Sequence, residues 1–323
     1  MSMKVVARLA GVSIPTVSRV LNARPNVAAD TRKRVQRLLV QAGYEIKAVD
    51  HRSPRLVDVI VPDLRSPYVS ALIEGLDEAA SRYRTSLVLT SCRAGEDWLS
   101  SVAARRSRGV VGILSDFSDR QLSWLHDNEV PHAVIDPPSA VPPAGLRWIT
   151  ADNLRAGRDA TTFLQGLGHR RIAFLQGLSM RVGVERQRGY CHAMIDAGFS
   201  GERYCLSARA TESATGAAMD KLLDDSEPPT AVLASHDHLA AVVIAVARQR
   251  GIDVPGQLSV MGFDDVPESE RFVPSLTTMH QPLPEMAAAA LNHVLSGTTG
   301  AADPIELGMR LISRRSTSAP IPP

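Results

Sequence analysis

At 323 residues the chain has room for two or three domains, each with its own core. A hydrophobic share of 44%, charged residues at 22% and a mean hydropathy of −0.04 exclude fibrous and disordered classes, and the longest apolar stretch, 239–247, falls far short of the roughly 20 residues that span a bilayer. The net charge of +2 conceals a division: residues 1–55 carry +8 and the remainder −6, the footprint of a nucleic-acid-binding module on an acidic body. A basic arm without a partner would have the same composition. Three widely spaced cysteines, Cys92, Cys191 and Cys205, with no CxxC, argue against a disulfide scaffold or zinc finger and suit a reducing cytosol. The N-terminus MSMKVVARLAGVS lacks the apolar core of a signal peptide, so a cytoplasmic, nucleoid-associated protein is expected.

In the head, Val5, Val6, Leu9 and Ala10 recur at helical spacing and the run stops at Gly11. Ser13 stands at an N-cap position, and Pro15 is tolerated in a helix's first turn, where its missing N–H had no partner. Val17, Val20 and Leu21 share one face of this second helix. Asp30 or Thr31 can start a third helix that carries Val35, Leu38, Leu39 and Ala42 inward and ends at Gly43. Helix, short glycine-containing turn, helix and a supporting helix make a helix-turn-helix, though periodicity alone also allows an ordinary three-helix bundle.

The segment ARLAGVSIPTVSRVLNARPNVAADTRKRV, followed by QAGY, resembles the headpiece of the LacI/GalR family of bacterial transcriptional repressors. The resemblance implies that residues 14–21 enter the DNA major groove, with Ile14, Pro15 and Arg19 at base-reading positions. It assigns phosphate contacts to Ser13, Thr16, Ser18 and Asn22. The chemistry agrees, since hydroxyls and amides bind phosphates and an arginine fork matches the O6/N7 edge of guanine. Two departures stand out. Val5 replaces the acidic residue usual in the first helix, and EIKAVDHRSPRL after Tyr44 is about four residues shorter than the usual hinge. Val49 is its only apolar wedge for a minor-groove helix.

From residue 57 short apolar runs alternate with amphipathic helices. Strands are predicted over 57–61, 87–90, 110–114, 132–135, 172–175, 231–234 and 258–262, and helices over 70–83, 155–167, 186–197, 216–223 and 238–250. Alternation of this kind gives a doubly wound α/β architecture. No GxGxxG or Walker sequence follows any strand, and no GxSxG elbow or paired acid stands in context, so no cofactor and no catalysed reaction are expected. The four-proline stretch 137–143 reads as a surface loop.

VPDLRSPYVSALIEGL, LGHRRIAFLQG, ERQRGY and the stretch from SVMGFDD to HQPLPEMA are similar to the periplasmic-binding-protein-like core of the same family. That resemblance implies residues 1–55 as headpiece and short hinge, and 56–323 as a two-lobed effector-binding and dimerisation core. It places crossings near 150–152 and 278–281 and after Gly300. Ligands in open α/β sheets bind beyond the carboxyl ends of strands. Asp152, Arg186 and Asp264 lie there, where the family holds sugar hydroxyls, and Tyr68 matches a pocket wall. Asp264 could instead cap a turn and Arg186 pair with Glu185. His236 and Asp237 stand where the family has an Asn-Asp pair, so an imidazole replaces a hydroxyl-binding amide. Thr211 occupies the place of the usual aromatic platform, and Asp136 is expected to be structural. His236-Asp237-His238 also hints at metal, but no further His or Cys completes a shell, and no metal site is expected.

The function implied is a homodimeric repressor of carbohydrate-use genes that binds a pseudo-palindromic operator under the control of a sugar-like effector. A solute-binding protein with this fold, against which the missing signal peptide and the headpiece argue, and an enzyme on a doubly wound fold are the rivals.

Overall fold

The computed structural model describes residues 3–21, 27, 31, 34, 35, 37–39, 42, 56–92, 97–177, 180–201, 204–297 and 303–321. Asn22, Tyr44, Val49, the hinge and Gly300 lie outside the described residues. The chain divides into two compact units, Met1–Arg55 and Leu56–Pro323.

In the first unit, α1 (Met3–Ala10) ends at Gly11, whose φ of 64° is a left-handed conformation that glycine adopts without a Cβ penalty. Helix α2 (Ile14–Leu21) begins at Ser13, whose Oγ accepts the Thr16 N–H at 3.4 Å. Val6, Ala7, Ala10, Val17 and Val20 form the core with Val35 and Leu39, from a third stretch in which 31, 34, 35 and 37–39 are helical. The apolar face of α1 differs from expectation. Val5 and Leu9 are exposed, because a rotation of about 100° per residue turns them away once Val6 and Ala10 face inward. Arg34 Nε donates to the Ala10 carbonyl at 3.0 Å, supplying one of the carbonyls left open at the end of α1.

Among the described residues the second unit contains two six-stranded sheets. The first, in order β11-β5-β4-β3-β1-β2, comprises β1 (Leu56–Val61), β2 (Ser86–Ser91), β3 (Gly109–Ile113), β4 (His132–Ile135), β5 (Trp148–Ala151) and β11 (Ile305–Leu307). The second, in order β12-β10-β9-β8-β6-β7, comprises β6 (Ile172–Gln176), β7 (Cys205–Ser207), β8 (Ala231–Ala234), β9 (Ser259–Asp264), β10 (Thr277–His280) and β12 (Arg310–Ile312). All pairings are parallel except that of β10 with β12. Such sheets are covered on both faces, which is why β3, β6, β8 and β9 are buried at every position.

Helices α3 (Pro67–Arg82) and α10 (Leu283–Ser296) cover one face of the first sheet, with Leu72 and Leu76 packed among Met286, Ala290 and Leu291. Short α4 (Leu99–Arg105) and α5 (Asp119–Asp127) cover the other. Helices α6 (Asn153–Gly166) and α7 (Arg181–Asp196) flank one face of the second sheet, and α8 (Glu212–Leu223) and α9 (Asp237–Gln249) the other. The chain passes from the first lobe to the second between β5 and α6, returns between β10 and α10, and passes over again between β11 and β12. One charged residue interrupts the β1 apolar run: Asp58 is fully buried, and its carboxylate accepts from Arg105 and Ser107.

Helices α6 and α7 approach closely because Gly157 and Gly189 carry no side chain. A Cβ at Gly157 would lie 2.1 Å from the Arg186 carbonyl oxygen, and one at Gly189 2.0 Å from that of Leu154. This contact fixes the helix that presents Arg186.

Candidate functional site

Where the two sheets present their carboxyl ends, a cavity of about 180 Å³ opens between the lobes. The first lobe contributes Ser66 and Tyr68 after β1, Leu114 after β3 and Asp136 after β4. The second contributes Arg186 from α7, Ser235 and His236 after β8, Asp264 at the end of β9 and Gln281 after β10. An adjoining cavity of about 420 Å³ shares Ser66, Tyr68, His236 and Asp264 and extends the cleft to His238 and Arg65. A larger cavity of about 540 Å³, walled by Trp98 and Phe117, is lined by first-lobe residues only and so cannot report on the relative position of the lobes.

The strand ends at the cleft are conformationally costly. Leu114, Asp136 and Asp264 have φ values of 47°, 49° and 110°, a region that side chains other than glycine's rarely occupy. Such strain, of order 1–3 kcal/mol per residue, concentrates at ligand sites. Here these three line the cavity, while Asp265, also left-handed at φ 58°, does not.

Arg186 organises the second-lobe wall. Its Nε donates to Asn153 Oδ1 at 2.8 Å, and its Nη1 to the Ser235 carbonyl at 2.5 Å and to Asp264 Oδ1 at 3.2 Å; its guanidinium lies 4.7 Å over the Phe263 ring. Asp264 Oδ1 also accepts from Gln281 Nε2 at 2.6 Å. Burial raises the Asp264 carboxyl to about 6 against the opposing pull of Arg186. Gln281 Oε1 is buried without a hydrogen-bond partner, so an acceptor faces an unmet demand at the cleft. His236 caps α9: its Nδ1 accepts the Leu239 N–H at 2.9 Å, which places the proton of the neutral ring on Nε2. Burial, aided by the Arg186 charge, lowers its pKa to about 4, so the ring is a neutral donor at physiological pH.

On the opposite wall, Tyr68 donates to Asp136 Oδ2 and Thr150 Oγ1 to Asp136 Oδ1, both at 2.5 Å. Burial, then the Asp136 charge, raise the Tyr68 pKa well above its ordinary value. Arg181, the first residue of α7, ties the walls together. It donates to Thr150 Oγ1 at 3.0 Å and to Glu185 at 2.6 Å, and stacks 4.4 Å over Trp148 of β5.

Tyr68, Arg186, His236 and Asp264 therefore meet at one cleft. Two expected members stand outside the cavity lining. Asp152 caps α6 by accepting the Arg155 N–H at 3.0 Å and does not line the cavity. Asp237 is buried beneath it, accepting from Thr278 Oγ1 at 2.6 Å and the Val266 N–H at 3.1 Å, which ties α9 to the neighbouring strands. Thr211 caps α8 and provides no stacking face at the cleft. Asp136, expected to be structural only, also lines the cavity while it orients Tyr68. Sequence reasoning missed Gln281 and Arg181. Gln281 follows a strand, the same signal that marked Asp264, but β10 (TTMH) is too short and polar to be recognised. Among the described residues no group of three His, Cys, Asp or Glu is placed to hold a metal.

Gly177 sets the distance across this wall: a Cβ there would sit 2.9 Å from His236 Nε2. Gly177→Ala is expected to lower thermal stability by about 1–3 kcal/mol through overpacking, measured by denaturant unfolding. Loss of no more than a few tenths would show that the ring moves freely.

On α2, Ile14, Pro15 and Arg19 are exposed, while Ser13 and Thr16 share a hydrogen bond of 2.9 Å between their hydroxyls. No helix among the described residues is long and apolar enough to cross a membrane.

The model for bacterial regulatory proteins of the lacI family matches residues 2–45, and that for a periplasmic binding protein-like domain matches 161–317. The transcriptional regulator MalR of Streptomyces coelicolor is 35% identical, over 93% of this chain and 90% of its own. Catabolite control protein A of Priestia megaterium is 30% identical over 97% of this chain and 98% of its own. A solved complex of the transcriptional regulator CelR with cellobiose has 30% sequence identity and a TM-score of 0.72, covering 98% of this chain and 99% of that one. With a two-helix motif on a basic head, a two-lobed core and relatives at least 30% identical over more than nine-tenths of its length, the chain belongs to the LacI family of bacterial transcriptional regulators.

Proposed function

We propose that this regulator acts as a homodimeric, cytoplasmic repressor of carbohydrate-use genes, whose grip on a pseudo-palindromic operator is set by a sugar-like effector held between its lobes. The carrying observation is the cleft itself, where donors (Arg186, His236 Nε2) and acceptors (Asp264, Gln281 Oε1) of one lobe face Tyr68 and Asp136 of the other. Hydroxyls both donate and accept, so a polyol satisfies this mixed set, whereas an anion would face two carboxylates. CelR was solved with cellobiose, which makes β-linked glucosides a sensible first panel. The effector contacts are assigned to Tyr68, Arg186, His236, Asp264 and Gln281.

Two copies would place two α2 helices on two-fold-related half-sites and multiply a weak single-head affinity through effective concentration. DNA contacts are assigned to Ser13, Ile14, Pro15, Thr16, Ser18, Arg19 and Asn22, the last outside the described residues. Arg19→Ala is expected to cost about 1–3 kcal/mol per head and to relax preference at one guanine in each half-site. Selection of bound duplexes from a random library checks this; a loss equal for all sequences would make Arg19 a phosphate contact. A thermal-shift screen of mono- and disaccharides tests the effector class, and a panel without a stabilising sugar would contradict it.

A further inference from the structure

At the opposite end of the first sheet, the amino-terminal edges of β2, β1 and β3 carry an unusual set of arginines. Arg82 closes α3 and Arg84 follows it, two residues before β2; Arg106 follows α4, and the Arg108 N–H bonds to the Leu56 carbonyl at 2.8 Å. Leu56 is where the chain enters this unit from the basic head. All four are exposed, and none forms an ion pair among the described residues; even Glu78, one turn before Arg82, is not paired with it. Arg105 differs, being held inward by Asp58.

The backbone adds a second, independent observation. Arg84 and Arg106 occupy left-handed positions beyond their helices, with φ of 50° and 53°. Four other helices of this unit end the same way and use glycine, at Gly168, Gly198, Gly251 and Gly297. Glycine is the unstrained choice there. A helix dipole favours a cation at its carboxyl end, but Arg82 and Arg105 already supply one in each last turn. Two exposed arginines in left-handed conformations, before strands that flank β1 and without an ion pair among the described residues, leave two guanidinium groups open to an external anion. The remaining left-handed helix end, Glu129 after α5, lies further along, beside β4.

We propose that this edge, through Arg82, Arg84, Arg106 and Arg108, binds the phosphates of duplex DNA flanking the site read by α2. Guanidinium groups without an ion pair, at the end of the sheet where the chain enters the core at Leu56, have the fork geometry that binds phosphate oxygens. The contact carries no sequence information and adds affinity and salt dependence. It rests on the DNA-binding reading given above.

The test uses the full chain and a duplex selected by it from a random library, in two lengths: the selected sequence alone, and the same with about one helical turn added on each side. Wild type is expected to bind the longer duplex more tightly, with a log–log salt slope steeper by about 0.9 for each phosphate contacted. Arg84→Gly/Arg106→Gly places glycine where the backbone prefers it, so folding is retained, and should erase much of the length effect. Arg82→Gln/Arg108→Gln, at positions without left-handed strain, should do the same. Equal slopes for wild type and both variants, or wild-type affinity independent of duplex length, would overturn the proposal. Selection that enriches no sequence would instead undermine the DNA-binding reading.

Discussion

Asp264→Asn is expected to weaken effector binding by roughly 10- to 150-fold, the worth of one charge-assisted hydrogen bond of about 1.5–3 kcal/mol, while affinity for DNA stays nearly unchanged. The substitution keeps the shape that accepts from Arg186 Nη1 and Gln281 Nε2, because both bonds fall on Oδ1. It replaces only the second oxygen with a donor. Isothermal titration with the sugar found by thermal-shift screening provides the measurement, and undiminished affinity would move the pocket away from Asp264.

The same residue gives wild type a pH signature. With its carboxyl raised to about 6 by burial, Asp264 is ionised at pH 7 and largely protonated at pH 5. A ligand that donates to the carboxylate should therefore lose about tenfold in affinity over that interval. His236, lowered to about 4, stays neutral throughout and does not contribute. The asparagine variant should show no such slope. For stability the sign is the reverse of the usual carboxylate case. A folded-state value above the unfolded one means a contribution fully present below about pH 3.9 and lost as pH rises through about 6. The cleft thus holds an anion at neutral pH at the expense of the fold.

Arg186→Ala should produce the largest stability loss, about 3–5 kcal/mol, because it strands Asp264 as a buried charge and removes the donor from Asn153 Oδ1 and the Ser235 carbonyl. At about 2–4 °C per kcal/mol for a unit of this size, the melting temperature should fall by roughly 10 °C. The deficit should shrink below pH 6, where Asp264 takes up a proton. Calorimetric unfolding at pH 5 and pH 7 checks both statements, and a pH-independent loss would mean that Arg186 acts by packing on Phe263 alone.

The residues told unevenly about this molecule. Glycine punctuation and i, i+3, i+4 spacing exposed the first two helices, and long buried runs such as 172–175 exposed the central strands, because period and burial are written locally. The edge strands β7, β11 and β12 span three residues each, too short to show any period. Helix α10 had its proline at the start and Gly297 at the end, yet its alanine-rich face blurred the pattern. At the cleft, the rule of polar residues beyond strand ends named Arg186, His236 and Asp264, which line one cavity although Arg186 lies within α7. Asp152 and Asp237 were named alike but stand outside the cavity lining, since a carboxylate beside a helix N-terminus serves equally well as a cap or a tie, and only the fold decides which. The Arg181 link across the lobes depends on Thr150 and Trp148, some thirty residues earlier, and no local signal announces it.

A single ligand in the interlobe cleft is expected to set DNA affinity. The direct measurement is calorimetric titration of the full chain with its stabilising sugar, once alone and once saturated with the selected duplex. Coupling between sites is reciprocal, so the sugar's dissociation constant must change by the same factor as that by which the sugar changes the DNA's, with coupling of about 1–3 kcal/mol, or roughly 5- to 150-fold. Equal sugar affinity in the two titrations would contradict the account.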